Sequence, residues 1–328
     1  MPFRLPHIRR TALLFILLFS GISASAQYDA QTSQYMLAPG TFNPAVAGES
    51  GDLLLTLQNR QQWVGIDGAP STLLVNVSMP FVMGNRKHGF GLVISKESIG
   101  LFSTQTLQLQ YAWKKQLKSG VLSIGIQGGI LQEGFDGSGI YIPISEYHIK
   151  TDASIPTGTL EGIIPDFSTG TWFQNEHLYA GFSVSHLLET AVNLKTGPDD
   201  TSTDNPHMVA SRTYYLTNGY NIVLPNPLYT VQPSFLVKTD LTAWQFDLTR
   251  RVFYKDKYWG GLGWRYQDAV IVLAGIKLQQ GLSIGYSYDI STSAVAKFSG
   301  GSHELFMSYT RKIGTATVSK RQKSVRIL

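Results

Sequence analysis

The 328-residue chain contains no cysteine. That excludes a disulfide framework, thiol chemistry and a lipid anchored to an N-terminal cysteine. Past its first residues it also lacks any apolar run near the roughly 20 residues a spanning helix needs. If the chain crosses a membrane it must do so as a closed barrel, because only closure satisfies every backbone donor and acceptor in lipid. Charged residues make up only 15% of the chain, and the net charge of +5 comes largely from its two ends. The central chain is close to neutral, which gives no reason to propose nucleic acid as a partner. A phosphate-binding glycine loop, a zinc-ligand spacing and a cofactor fingerprint are all missing, so no cofactor, metal or catalytic residue is expected.

What is present begins with a basic segment (Arg4, His7, Arg9, Arg10), an apolar run over 12–19 and Ala24-Ser25-Ala26. This reads as a secretory signal peptide over residues 1–26. Residues 27–51 carry Pro39-Gly40 and Asn43-Pro44, too much proline and glycine for a helix or a ladder. An irregular segment is expected there, in the periplasm or packed into the lumen through Tyr35, Met36, Phe42 and Val46. Residues 52–313 then alternate. Leu282, Ile284, Tyr286 and Tyr288 interleave with Ser283, Gly285, Ser287 and Asp289, a period of two that specifies strands with one apolar and one polar face. A basic periplasmic tail over 314–328 ends the chain.

The pattern predicts strands over 52–61, 71–79, 89–95, 104–115, 121–132, 166–173, 179–188, 208–223, 228–238, 241–254, 258–266, 269–277, 281–290 and 304–310. That makes about fourteen strands in an all-β antiparallel transmembrane barrel. Most are longer than soluble strands, and Trp113, Tyr258, Tyr266 and Tyr288 fall near strand ends, where membrane interfaces favour amphipathic rings. If both ends face the periplasm, the long polar intervals 133–164, 189–207 and 291–302 all lie outside and the shortest turns inside, as in outer-membrane barrels. The inward positions Gln232, Ser234, Lys238, Gln245, Asp247, Thr249, Arg251, Arg265, Ser283, Ser287, Asp289 and Glu304 should line a lumen of mixed charge. Buried charges of that kind must pair.

Gln34-Tyr35-Met36, Asn43-Pro44-Ala45 with Gly48, Trp63-Val64-Gly65 with Gly68-Ala69-Pro70, Ser185-His186-Leu187 and Gly285-Tyr286-Ser287-Tyr288-Asp289 resemble the PorP/SprF family. Gly219-Tyr220, Pro233-Ser234, Asp247-Leu248 and Gly300-Gly301-Ser302-His303-Glu304 extend the likeness over nearly the whole mature chain. The resemblance implies an outer-membrane component of the type IX secretion and gliding machinery of Bacteroidota. Such a component would help export and anchor large surface proteins, adhesins among them, through a C-terminal sorting domain. Its implied partners are that cargo, periplasmic secretion subunits and outer-membrane lipid.

Two other classes compete. A channel or hydrophobic-substrate transporter would need an open or laterally gated lumen, whereas a barrel of this strand count has room for residues 27–51 as a plug. A rim hydrolase would need Ser185, His186 and His303 to meet, yet neighbours on a strand point to opposite faces, so Ser185 and His186 cannot pair. Asp199, Asp200 and Asp204 do not have the spacing of an EF-hand loop.

Overall fold

The computed structural model describes residues 29–139, 158–197 and 207–313. The expected signal peptide and basic tail, and the acidic residues Asp199, Asp200 and Asp204, lie outside them. Fourteen strands form one closed antiparallel barrel. In chain order these are β1 (Leu53–Gln61), β2 (Ser71–Met83), β3 (Arg86–Ile99), β4 (Phe102–Leu117), β5 (Gly120–Asp136), β6 (Thr159–Gln174) and β7 (Leu178–Ser185). There follow β8 (Thr213–Tyr220), β9 (Tyr229–Thr239), β10 (Trp244–Tyr254), β11 (Tyr258–Arg265), β12 (Ala269–Lys277), β13 (Leu282–Ser291) and β14 (Ser302–Arg311). Each strand pairs with its neighbours in sequence. The ring closes where β1 meets β14, from Leu53↔Arg311 to Gln61↔His303. Among the described residues no helix is long and apolar enough to cross a membrane.

Alternation decides which face meets lipid. On β4, Leu107 and Leu109 are 45% and 53% exposed, while Gln108 and Gln110 between them are 6% and 1% exposed. The apolar side chains therefore point away from the barrel axis. Two girdles of aromatic rings bound this outward surface. Trp244 stacks on Tyr266 at 5.0 Å at the outer ends of β10 and β11. Tyr229 and Tyr254 meet at 5.1 Å at the inner ends of β9 and β10. The eleven residues of β10, at about 3.3 Å each and a tilt of about 40°, cover roughly 25 Å, the height of an outer-membrane apolar band.

Several boundaries differ from the periodic reading. Strand β2 runs on through Pro80 to Met83, β3 covers Arg86–Ile99, and β5 and β6 absorb both ends of the predicted interval 133–164. Prolines and glycines interrupt the alternation in these extensions, so period alone stops short of them. Strand β7 ends at Ser185 and not at residue 188, because His186 adopts φ +55°. Met208 belongs to a small outer hairpin, Ala191–Asn193 paired with His207–Val209, and β8 starts only at Thr213. Leu241 lies in a turn at φ +71°, and β10 begins at Trp244. The long connections are all on one side, as expected, but the outer side also has short ones at 100–101, 240–243 and 266–268.

On that outer side the extended β5–β6 pair and the small hairpin share a core of Leu131, Leu160, Ile164, Val192, Leu194 and Ala210. The connection after β7 therefore folds over the barrel mouth. Leu109 sits mid-height on the lipid face, so Leu109→Lys should cost about 2–4 kcal/mol of stability. Denaturant unfolding in phospholipid bilayers measures this loss, and a cost near zero would contradict the assignment of that face to lipid.

Candidate functional site: the filled lumen

Residues 29–51 occupy the lumen. Their three short 3₁₀ turns, Tyr35–Leu37, Pro39–Thr41 and Pro44–Val46, follow from the local sequence. Proline lacks an N–H and suits the first position of a turn, and the Asn43 side chain accepts from the Ala45 N–H at 3.0 Å. The segment cannot supply its remaining backbone partners itself. The wall does so.

The densest contacts lie where β1, β10, β11, β13 and β14 face the axis. Glu304 accepts from the backbone N–H of Ser33 at 2.7 Å and of Gln34 at 2.9 Å. The Ser33 hydroxyl donates to Asp289 at 2.7 Å and accepts from Arg60 at 2.8 Å and from Arg265 at 3.1 Å. Arg60 also pairs with Asp289 at 2.8 Å, and Arg265 pairs with Asp247 at 2.7 Å and with Asp289 at 3.0 Å. All five charged side chains are almost fully buried. Each carboxylate is met by at least one guanidinium, and further donors come from the Ser33 and Gln34 backbone to Glu304, the Ser33 hydroxyl to Asp289 and the Gln245 amide to Asp247, which favours keeping these charges away from water.

A second cluster holds the outer end of the segment. Asp29 accepts from the Tyr215 hydroxyl and faces His186 Nε2 at 2.8 Å, while Lys238 Nζ donates to the Asp29 carbonyl at 2.7 Å. The other ring nitrogen of His186 faces Asp166 at 3.1 Å. Burial opposes ionisation of Asp29, yet His186, Lys238 and Tyr215 hold its carboxyl well below the usual carboxylate range. For His186, burial alone would lower the pKa, and Asp29 and Asp166 instead raise it to about 10. The inner end is fixed by Lys114, which donates to Glu49 and to Ser123.

Between these anchors the segment touches bare backbone of the wall. A Cβ on Gly125 would lie 2.2 Å from the Ala45 nitrogen, and one on Gly89 would lie 1.8 Å from the Ala47 carbonyl oxygen. Only glycine admits so close an approach. The side-chain amide of Asn43 donates to the Thr171 carbonyl at 3.0 Å, Gln110 donates to the Gly40 carbonyl at 2.7 Å, and Phe42 stacks on Tyr215 at 5.2 Å. The Tyr35 hydroxyl reaches Ser234 at 3.1 Å. Two cavities remain beside the segment, one of about 100 Å³ lined by Thr72, Ser95, Glu97, Thr104 and Thr106, and one of about 200 Å³ lined by Pro39, Leu54, Thr56, Asn76 and Ser78. At about 30 Å³ per molecule the first holds a few waters.

The residues singled out from sequence thus fall into separate places. Gln34, Tyr35, Asn43, Pro44 and Gly48 lie in the lumen segment. Trp63, Gly65, Gly68 and Pro70 form the outer β1–β2 connection instead. There Val64 N–H donates to the Gly301 carbonyl at 2.8 Å and Gly100 N–H donates to the Gly68 carbonyl at 2.8 Å, which ties the rim together across the barrel seam. Asp247, Arg265, Asp289 and Glu304 meet in one network, whereas Lys238 belongs to the outer cluster. Arg251 stands apart, donating to Gln232 and lying 5.6 Å over the Trp259 ring. His186 turns into the lumen beside Ser185 because of its left-handed backbone, correcting the expectation that the two side chains point to opposite faces. His303 is far from both, beside Tyr286 and Tyr288.

Arg60, Gln58 and Asp29 were missed as partners, although Thr56, Gln58 and Arg60 alternate visibly on β1. Nothing short of three-dimensional proximity links Asp29 to His186.

The family profile described as type IX secretion system membrane protein PorP/SprF matches residues 24–309. The chain belongs to the PorP/SprF family. This member is an outer-membrane β-barrel of the type IX secretion system, a family of membrane components and not of known enzymes. No curated protein matches it. Among solved structures, the Ralstonia pickettii toluene transporter TbuX is 10% identical with a TM-score of 0.48, covering 83% of this chain and 92% of that one. The CymD monoaromatic hydrocarbon channel is 12% identical with a TM-score of 0.46, covering 90% and 96%. The Acinetobacter baumannii outer membrane protein Omp33 is 6% identical with a TM-score of 0.43, covering 80% and 98%. At these values the likenesses carry no functional argument.

Two predictions follow from this geometry. Gly125→Leu in the PorP/SprF chain should expel the segment while the barrel still forms, making Tyr35 and Phe42 accessible to chymotrypsin and raising single-channel conductance severalfold. Unchanged protection would show that the Gly125 contact does not hold the segment. The His186 pKa is raised above its ordinary 6.5 to about 10, so the stability it adds is fully present below about pH 6.5 and lost as pH rises through about 10. Amide exchange over residues 29–36 should therefore stay slow through neutral pH and quicken near pH 10, and His186→Asn should abolish that transition.

Proposed function

We propose that this protein anchors exported surface proteins at the outer membrane, binding their C-terminal sorting domain from the outside and periplasmic secretion subunits from within. One observation supports this reading above the rest. The lumen is largely filled by the chain's own N-terminal segment, held towards its outer end by the Lys238 and Glu304 contacts, at mid-height by Gln110 on Gly40 and at its inner end by Lys114 on Glu49. A barrel so filled does not conduct a folded or extended protein through its axis. Its available surfaces are the built-up mouth, where the β5–β6 extension and the outer hairpin share a core, and the inner rim. The mouth combines apolar and polar groups in the manner of a protein-binding surface.

The alternative, a channel or hydrophobic-substrate transporter, needs a continuous path, whereas the space beside the segment is divided into separate cavities of about 100 and 200 Å³. Purification of the tagged protein from outer membranes in mild detergent, followed by mass spectrometry, separates the two. The anchoring reading expects a large secreted protein with a C-terminal sorting domain, or periplasmic type IX subunits, to come with the barrel. It also expects cargo to be lost on removal of residues 140–157 and 198–206 while the barrel stays folded. Recovery of the barrel alone, with substantial conductance in a planar bilayer, would establish the channel.

A further inference from the structure

Between the two aromatic girdles, the outward positions of β9 to β12 carry apolar or small side chains with one exception, Arg250. It lies between Leu248 and Val252 on β10 and opposite Pro233 on β9 and Leu262 on β11. The residue is exposed, and among the described residues its side chain makes no hydrogen bond or ion pair. It stands four positions above Tyr254, well inside the hydrocarbon of the inner leaflet. A guanidinium cannot lose its proton there, so it must find a counter-charge, and its flexible stem allows the head to reach toward the nearer interface.

That interface is strongly cationic below Arg250. The β10–β11 turn carries Lys255 and Lys257, with Lys255 Nζ 5.1 Å over the Tyr254 ring and Lys257 Nζ 5.2 Å over the Tyr258 ring. Lys277 joins them from the end of β12, its backbone N–H donating to the Lys257 carbonyl at 2.7 Å. The Lys255 and Lys257 ammonium groups lie against girdle rings, at the height of lipid headgroups, whereas Lys277 Nζ lies 5.9 Å over the inward-facing ring of Phe253. Asp256 is the one acidic residue of the turn, and none of the three lysines is ion-paired among the described residues. Between the turn and Arg250 the outward positions Gly260 and Ala274 face each other across β11 and β12. They leave a shallow furrow on the lipid face, bounded by Tyr258 and Ile276 below and Leu262 and Val272 above.

We infer that this corner of the barrel is a binding site for an anionic glycerophospholipid of the inner leaflet. The phosphate is held between Arg250 from above and Lys255 and Lys257 from the turn, and one acyl chain lies in the Gly260–Ala274 furrow. A zwitterionic lipid fits less well, because its own ammonium adds to three cations, Arg250, Lys255 and Lys257, faced by the single carboxylate of Asp256. The placement at girdle height, with a charge inside the hydrocarbon, favours lipid over a periplasmic protein, which would meet cations projecting below the membrane. The inference is independent of how cargo is bound and rests only on the barrel and its orientation.

Native mass spectrometry of the full-length protein in mild detergent, titrated in turn with phosphatidylglycerol and phosphatidylcholine, tests it. The wild type should retain phosphatidylglycerol at concentrations where phosphatidylcholine is lost. Arg250→Leu, and separately the pair Lys255→Gln with Lys257→Gln, should each lower that retention by at least about tenfold. Arg250→Leu makes the lipid face more apolar, so the barrel should fold at least as well, which its heat-modifiable migration on gels reports. Equal retention of the two lipids, or unchanged retention in Arg250→Leu, would overturn the proposal. A photo-crosslinker at Leu262 that captures a protein in place of lipid in native membranes would also overturn it.

Discussion

The ladder between β1 and β14 is the contact on which everything else depends. Lipid offers no hydrogen bonds, so an open sheet of this kind has no stable place in a membrane until its first and last strands pair. That same pairing brings Arg60 of the first strand beside Glu304 of the last, with Asp289 one strand further on. The charges that hold the lumen segment therefore come from opposite ends of the chain, and their network exists only in the closed ring.

Once closed, wall and filling stabilise each other. Removing one member of the Arg60–Arg265–Asp247–Asp289–Glu304 network would strand its partners in a site without water, which typically costs about 3–5 kcal/mol. The filling likewise relies on the wall for its backbone bonds, since three isolated 3₁₀ turns satisfy few of their own. Glycines at close-approach positions remove the side chains that would keep the two apart, at some cost to the strands that carry them. The result is a barrel with a largely filled interior, one rim built up by long hairpins and one rim of short turns.

Much of this was legible in the sequence because a barrel wall has one dominant rule. Period-two alternation located all fourteen strands, and the side-dependence of loop length oriented them. What the rule could not reach were the places where it is broken. Pro80 and Pro165 hide the extensions of β2 and β6, and the left-handed residue His186 hides the end of β7. The lumen charges Asp247, Arg265, Asp289 and Glu304 announced themselves as inward polar positions on strong strands. Their counterpart Ser33, and the Asp29–His186 contact, come from a segment with no period at all, so only the fold could bring them to the site. The motif residues split for the same reason. Similarity in sequence marked Tyr35 and Trp63 alike, though one is a filling contact and the other belongs to the rim.

The path of the lumen segment constrains how the molecule can be made. Asp29 is tied near the outer ends of β7 and β9, whereas Glu49 is tied near the inner end of β4, just before the chain turns into β1. The stretch therefore runs the full height of a ring that has no other entrance wide enough for its bulky turns. Threading it in after closure would force Tyr35 and Phe42 past walls that approach to the backbone. The first part of the chain is therefore most readily set in place while the sheet curls, a mandrel around which the later strands are wound, with the final seam locking it in.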